Sequence, residues 1–365
     1  MAEAVHDANR LAELQALPLD RKIQISQARI IEWYTRNKGN VVVSYSGGKD
    51  STVLLHLVRS LFPDVPAMFA NTGLEYPEIQ KFVRAIPNVT TVRPKMQFNE
   101  VLTNYGYPLI SKEVAQSVEE ARGHALRSRN KFIAGSSIEQ RLGGKFSLTK
   151  WLPVVQLPVR ITAKCCNVTK KNPMKKALGD TPEFVGTLAE ESRLRRSAWL
   201  AHGCNAFDAK PPKSQPLSFW TEQDILRYIV EYGIQIAPVY GDIVAVDKNG
   251  DEYLPNSFMC DECTLKTTGE RRTGCIYCAF GFHLEKEETR FQRLAKTHPR
   301  QYEYAIGGGQ WVENPKYDPA APEYDGDWKN WNPKQIWVPS KDGLGLRTVF
   351  DMVNEIYGKE FYRYE

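Results

Sequence analysis

Val41-Val42-Val43-Ser44-Tyr45-Ser46-Gly47-Gly48-Lys49-Asp50-Ser51 is the stretch on which the reading of the chain turns. Three β-branched residues predict a short buried strand. The two glycines predict a tight turn, and Asp50 and Ser51 open an apolar helix that runs through Thr52-Val53-Leu54-Leu55-His56-Leu57-Val58. Such a turn leaves backbone N–H groups unpaired at a helix N-terminus, where the helix dipole adds positive potential, so the local structure is an anion pocket. Glycine matters there because a Cβ would keep a phosphate off the backbone. Ser44, Ser46 and Ser51 supply hydroxyls, Lys49 a positive charge, and Asp50 a carboxylate suited to Mg²⁺. An ordinary strand-to-helix turn would need only the glycines. The pattern is not GxxxxGKS/T, because no four-residue spacer separates the glycines.

Outward from this stretch the alternation continues. Residues 8–37 read as amphipathic helices that end at Asn37-Lys38-Gly39-Asn40. Residues 67–70 and 89–92 read as strands, with Pro77 in the first turn of the helix between them, and 183–186 as another strand. This order predicts an α/β fold: a parallel, Rossmann-like sheet with flanking helices and a site at the C-terminal ends of its strands. Asn71, Thr72, Gly73 and Glu75 follow one such end. Thr221 reads as the N-cap of a helix with acids in its first turn and Ile225 and Ile229 on one face. The expected division is a helical extension over 1–40, a nucleotide-binding domain over 41–245, and a Cys-rich, aromatic region over 246–365. In that last region the stretch after 285 is rich in aromatics and prolines, with Trp311, Tyr317, Tyr324, Trp328, Trp331 and Trp337 read as core or loop-anchoring rings sooner than as base-stacking platforms; Gly307-Gly308-Gly309 and 313–335 read as a long loop, followed by a terminal helix over 347–358.

Bulk properties agree with a folded enzyme-sized chain. Of 365 residues, 42% are hydrophobic and 25% charged, enough for a substantial core. The net charge of +5 permits a nucleotide or nucleic-acid partner without demanding one. Arg122, His124, Arg127, Arg129, Lys131, Arg141 and Lys145 form a basic stretch, read either as a solvated face or as an electrostatic platform. No apolar run is long enough for a membrane span, and the polar start lacks a signal peptide's core, so a cytoplasmic location is expected.

Seven cysteines in such a chain point to metal or redox chemistry sooner than to disulfides. Cys165 and Cys166 are adjacent, Cys204 is alone, and Cys260/Cys263 and Cys275/Cys278 are two CxxC pairs. The two pairs alone would suit a zinc ribbon. Thiolates suit Zn²⁺ and iron–sulfur clusters alike, so the ligand type leaves the metal open.

Several of these segments resemble the phosphoadenosine phosphosulfate (PAPS) reductase-like family of PP-loop ATP pyrophosphatases, in the adenine nucleotide alpha hydrolase (HUP-type) superfamily. The loop SGGKDS is similar to that family's SGGxDS. Residues 71–78 resemble its DTGxxxPE segment, with Asn71 in place of Asp. Residues 165–178 resemble CCxxxKxxPL, with Lys170 at the lysine position. Gly186, Glu191, Ser192 and Arg195 fit GxRxxESxxR, although Leu188 stands where arginine is usual. The resemblance implies that Lys49, Asp50, Ser51, Lys170 and Arg195 carry catalysis, and that ATP with Mg²⁺ lies on the loop, Asn71, Thr72, Gly73, Glu75, Gly186 and Glu191. It also implies a 4Fe–4S cluster on Cys165, Cys166, Cys275 and Cys278, with a set drawing on Cys260 or Cys263, or a separate Zn²⁺ site, as alternatives.

Family reductases use a cysteine near the C-terminus, and here no cysteine follows Cys278. The expected activity is therefore cleavage of ATP to AMP and pyrophosphate, adenylylating a substrate for sulfur transfer of the nucleic-acid thiolation type. The alternatives are a sulfonucleotide (PAPS/APS) reductase and a non-catalytic nucleotide- and cluster-binding subunit. Expected partners are an adenine nucleotide, a tRNA or DNA substrate, a sulfur-donor protein and a second copy in a homodimer, with no membrane.

Overall fold

The computed structural model describes residues 6–141, 144, 147–209, 211–255 and 263–365. Lys145 and Cys260, singled out from the sequence, lie outside the described residues. The chain forms two compact units: 1–71, 75–93 and 173–274 make the first, and 72–74, 94–172 and 275–365 the second. These units cut across the three segments expected from sequence.

The first unit is built on a six-stranded sheet of β1 (Val42–Tyr45), β2 (Ala67–Ala70), β3 (Val89–Val92), β4 (Glu183–Val185), β5 (Asn205–Ala206) and β6 (Lys213–Ser214), in the order β3-β2-β1-β4-β6-β5. All neighbouring pairs are parallel except β5 with β6. The expected Rossmann-like sheet is present, and its centre is apolar: Val43 and Phe184 are fully buried. After β1 the chain proceeds outward to β2 and β3, then returns to place β4 on the other side of β1. The crevice outside the carboxyl ends of β1 and β4 is thus the switch point at which open α/β sheets bind ligands.

Helices α1 (Ala8–Gln15), α2 (Leu19–Arg36), α3 (Lys49–Leu61) and α4 (Pro77–Ala85) belong to the same unit. The N-terminal helices are not a separate extension, because α2 is bolted into this core. Trp33 is fully buried and stacks on Phe207 at 4.8 Å, and Ser26 Oγ donates to the Pro216 carbonyl at 2.8 Å. The helix Glu222–Glu231 starts at Thr221 as the sequence predicts, with a capping box to Asp224 and with Ile225 and Ile229 buried.

The second unit contains more regular structure than the sequence suggested. Beyond residue 285 lie helices Arg290–Thr297, Pro299–Ile306 and Leu346–Tyr357, and strand Gln310–Glu313 pairs antiparallel with Gln335–Val338. An aromatic core holds this unit together: Phe282, Phe291 and Phe350 are fully buried, and Phe282 stacks on Tyr362 at 5.0 Å. The signals were there, in a Thr289–Gln292 capping box and a proline at the first position of the next helix. Among the described residues no helix is long and apolar enough to cross a membrane.

Candidate functional site

The loop after β1 is shaped by short-range chemistry. Gly47 has φ +73°, and a Cβ there would come within 2.7 Å of Val83 and 2.8 Å of Ile79 on α4. Gly48 caps α3, whose first-turn amides have no intrahelical acceptor. Ser46 and Ser51 hydroxyls meet at 2.9 Å, and Ser51 Oγ also donates to the Gly48 carbonyl at 2.9 Å. The turn is therefore closed by its own serines: Ser46 N donates to Ser51 Oγ at 3.2 Å and Gly48 N to Ser46 Oγ at 3.3 Å. Gly47→Ala should destabilise the protein by about 2 kcal/mol, from left-handed strain plus overpacking. A urea melt checks this, and an unchanged midpoint would contradict it.

Lys49 behaves differently from its sequence reading. Its Nζ is buried, donating to the Arg271 carbonyl at 2.9 Å and paired with Glu222 at 3.2 Å. Glu222 also accepts from Arg271 Nε at 3.0 Å. Lys49 N donates to Tyr240 Oη at 3.1 Å, and that hydroxyl meets Thr273 Oγ1 at 2.7 Å. Lys49 thus ties the loop to the 271–273 segment and to the helix starting at Glu222. Sequence reasoning missed Tyr240, Glu222, Arg271 and Thr273. The run Arg271-Arg272 was the one available signal.

Asp50 carries the site's electrostatic tension. Burial raises its pKa, outweighing the attraction of Lys49, Arg272 and Arg195. Lys49 lies 3.9 Å away but its charge is engaged more closely by Glu222. Asp50 Oδ1 is buried without a hydrogen-bond partner. Arg195 is ion-paired with Glu191, and Glu191 also accepts the Leu188 amide at 2.9 Å. Gly186 allows close backbone approach: a Cβ would stand 3.1 Å from Ser51 Cα and from the Asp50 carbonyl. Leu188, which replaces an expected arginine, is buried in the core. Ser44 Oγ donates to Glu183 across the sheet. The first unit therefore gathers Ser46, Gly47, Gly48, Lys49, Asp50, Ser51, Gly186, Glu191 and Arg195 about one crevice. Asn71 and Glu75 also belong to this unit, Asn71 immediately following β2.

In the second unit, Thr72 Oγ1 accepts the Leu74 amide at 3.2 Å around Gly73. The Leu74 carbonyl accepts from Ile276 N at 2.8 Å, which ties this loop to the Cys275/Cys278 turn. Cys165 and Cys166 open a helix that widens into a π-helical turn over Asn167–Lys171, a deviation that recurs at functional sites. The Cys165 thiol donates to Cys166 and holds it below the usual thiol range, with Lys112, Lys170 and Lys171 adding to the effect. The hydrogen bond to Cys166 pushes Cys165 up, and Cys275 and Cys278 act on it electrostatically. Burial raises Cys278. The four thiols and Lys170 thus share one neighbourhood. No three His, Cys, Asp or Glu side chains stand at metal-binding geometry among the described residues. Cys263 is disulfide-bonded and packs in the first unit against Leu226, Ala245 and Leu265. Cys204 is a free thiol with its pKa raised by burial.

The sequence profile of the phosphoadenosine phosphosulfate reductase domain matches residues 40–116 and 139–279, more than half of the chain. The chain belongs to that family. Among its PAPS reductase-family relatives, a sulfate adenylyltransferase subunit 2 of Rhizobium meliloti (strain 1021) is 24% identical, covering 71% of this chain and 83% of the relative. The adenosine 5'-phosphosulfate reductase of Bacillus cereus (strain Q1) is 22% identical over 67% and 82% of the two chains. The phosphoadenosine 5'-phosphosulfate reductase of Vibrio campbellii (strain ATCC BAA-1116) is 26% identical over 66% and 81%. A crystal structure of PAPS reductase from Candida auris in a phosphate complex aligns with 13% identity and a TM-score of 0.35, over 65% of this chain and 92% of that one. The matched segments contain the 46–51 loop and the clustered cysteines Cys165, Cys166, Cys275 and Cys278.

Proposed function

We propose that the chain is an adenylyl-transferring enzyme: it binds ATP on the 46–51 loop and passes the AMP moiety to an oxyanion, releasing pyrophosphate. The observation that carries this reading is the amide-rich N-terminus of α3 beside a buried Asp50 carboxylate oxygen with no hydrogen-bond partner. The similarity to relatives named as sulfate adenylyltransferase subunit 2 supports it. An oxygen of the acceptor attacks the α-phosphorus, the bond to the β-phosphate oxygen breaks, and pyrophosphate leaves with the electron pair. Ser46, Ser51 and the first-turn amides would hold phosphate oxygens, and Arg195 and Arg272 would offset charge as it shifts to the leaving group. Asp50 fits a Mg²⁺ ligand, and that ion would supply charge neutralisation on the phosphates. In this reading Lys49 is a positioning residue, because its ammonium is engaged by Glu222 and the Arg271 carbonyl.

The acceptor class is an oxyanion, with sulfate the first to test. Nucleic-acid thiolation, with tRNA or DNA as acceptor and a sulfur-donor protein, is a narrower form of the same chemistry and finds no support in the relatives' names. Sulfonucleotide reduction is the second reading, favoured by the four clustered thiols and by the reductase relatives. One experiment separates them. Purified protein is given ATP, Mg²⁺ and sulfate, with tRNA and single-stranded DNA in further arms, and separately PAPS or APS with a dithiol. Pyrophosphate release supports adenylyl transfer. Sulfite release without pyrophosphate overturns it in favour of reduction. Nucleotide binding without either product favours a non-catalytic subunit.

Cys165, Cys166, Cys275 and Cys278 fit a 4Fe–4S cluster by donor chemistry, with Lys112, Lys170 and Lys171 offsetting its negative charge. A cluster there would supply electrons or order the second unit, while the same thiols could take Zn²⁺. Anaerobically purified protein should carry iron and visible absorbance, and Cys166→Ser should lose most of both. Stoichiometric zinc with no iron would overturn the cluster assignment.

A further inference from the structure

The second unit carries a cavity of about 670 Å³. The family match omits 117–138 and everything after 279, and these unmatched segments supply much of the wall. Arg122 and His124 come from the first of them, and Trp328, Lys329 and Trp331 from the second. The site is therefore built largely by parts of the chain that lie outside the shared domain.

Arg122 is its unusual feature. The guanidinium donates to the carbonyls of Val155 at 2.8 Å, Leu157 at 2.8 Å and Val159 at 2.7 Å. It also lies 4.0 Å from the centroid of the Trp331 ring, whose Nε1 donates to Leu157 as well. Burial lowers its pKa, with Tyr324 acting in the opposite sense. A guanidinium held by neutral carbonyls and an indole face keeps its positive charge in a poorly solvated place, where it sets a positive potential at the cavity wall. Arg160, on the same wall, is held in the same manner, donating to the Thr103 carbonyl at 2.9 Å, with burial again lowering its pKa. Of the lining acids, Glu119 is engaged by Lys164, and Asp318 accepts the Ala320 amide at 2.9 Å. Lys316 and Lys329 add further positive charge. The cavity is thus cationic, aromatic-walled and within the size range of small-molecule sites.

We propose that it binds a nucleotide unit, its phosphate on the arginines and its base against the indole wall, either as a free nucleotide or as one unit of a single-stranded nucleic acid. Aromatic stacking combined with basic contacts is the physics by which unpaired nucleotides are held. The assignment stands apart from adenylyl transfer, whose failure is read by pyrophosphate release and not by binding here.

The test uses full-length protein with Asp50→Asn throughout, to weaken the other nucleotide site. AMP, a short single-stranded oligonucleotide and inorganic phosphate are titrated against tryptophan fluorescence and, for a labelled strand, anisotropy. Arg122→Gln is the direct variant but strips several carbonyl bonds. The double variant Arg160→Gln/Lys329→Gln leaves those bonds intact, and its fold is checked by circular dichroism. We expect binding of AMP or the strand with quenching, weakened about tenfold or more in the double variant. Strand binding without AMP binding assigns the site to single-stranded nucleic acid, and AMP binding of equal strength assigns it to free nucleotides. Equal affinity of the parent and double variants overturns the proposal. So does inorganic phosphate binding as tightly as AMP.

Discussion

Asp50→Asn should lower nucleotide turnover by about a hundredfold to a thousandfold while raising the stability of the ligand-free protein. The first effect follows from removing the carboxylate proposed to hold the metal at the phosphates, a loss of the size found when a preorganised charge-stabilising group is deleted. The second follows from the state of that carboxylate. Its Oδ1 is buried without a partner, and burial raises its pKa above that of an unfolded-chain aspartate. A group with a raised folded-state pKa binds protons more readily when folded. The stability penalty of its charged form is therefore fully present above the folded pKa and fades as pH falls through that value. Asn at this position removes the charge, so the gain should be about 1 kcal/mol at neutral pH and should vanish in acid. Turnover of the parent enzyme should fall on the acid side at a higher pH than an ordinary aspartate would give. Urea melts of both proteins at neutral and acid pH, with a pyrophosphate-release profile, test both halves. A destabilised Asp50→Asn protein would mean that the carboxylate has a structural partner and is not held in reserve for a ligand.

That tension was only half legible in the sequence. Glycines, hydroxyls and an acid after a β-branched run announce a tight strand-to-helix loop because the hydrogen bonds that close it are local. Gly47, Gly48, Ser46 and Ser51 act on one another within five positions. The same locality made Thr221 readable as a cap and Pro77 as a helix start. The partners of Lys49 were not legible, for the opposite reason. A lysine in a phosphate loop looks like a phosphate ligand until Glu222 and the Arg271 carbonyl arrive from far along the chain and bury it. Tyr240 and Thr273 carry no local mark at all. Gly186 was singled out as a nucleotide-site residue, and what the structure shows there is close contact with the backbone of Asp50 and Ser51. Past residue 285 the terminal helix was legible and is present as Leu346–Tyr357, but the helices Arg290–Thr297 and Pro299–Ile306 were not read, because aromatics and prolines drew attention away from Phe291 and Leu294, which bury one face of the first of them.

The second large effect is expected at the same distance scale. Lys22 Nζ on α2 meets Asp224 Oδ2 at 2.6 Å, and both side chains are almost entirely out of solvent. That oxygen also accepts from Thr221 N at 2.7 Å and Thr221 Oγ1 at 2.8 Å, so one carboxylate both caps a helix and receives a buried ammonium. Lys22→Met keeps the apolar stem and removes the charge. The carboxylate then stays buried with its capping bonds but no counter-charge, a change that costs about 3–5 kcal/mol. Neutralising both ends, Lys22→Met with Asp224→Asn, should recover much of the loss, since the amide oxygen of Asn can still accept from Thr221. The pair should therefore show a strong favourable interaction in a double-mutant cycle read by urea midpoints at constant slope. The consequence reaches the candidate site through two residues of chain. Asp224 fixes the start of the helix that presents Glu222, and Glu222 holds both Lys49 and Arg271. Lys22→Met should thus weaken ATP binding in the fraction that remains folded, whereas the double variant should restore it. A single variant within about 1 kcal/mol of the parent would show that Asp224 is solvated or protonated when unpaired, and the link from α2 to the phosphate loop would fall with it.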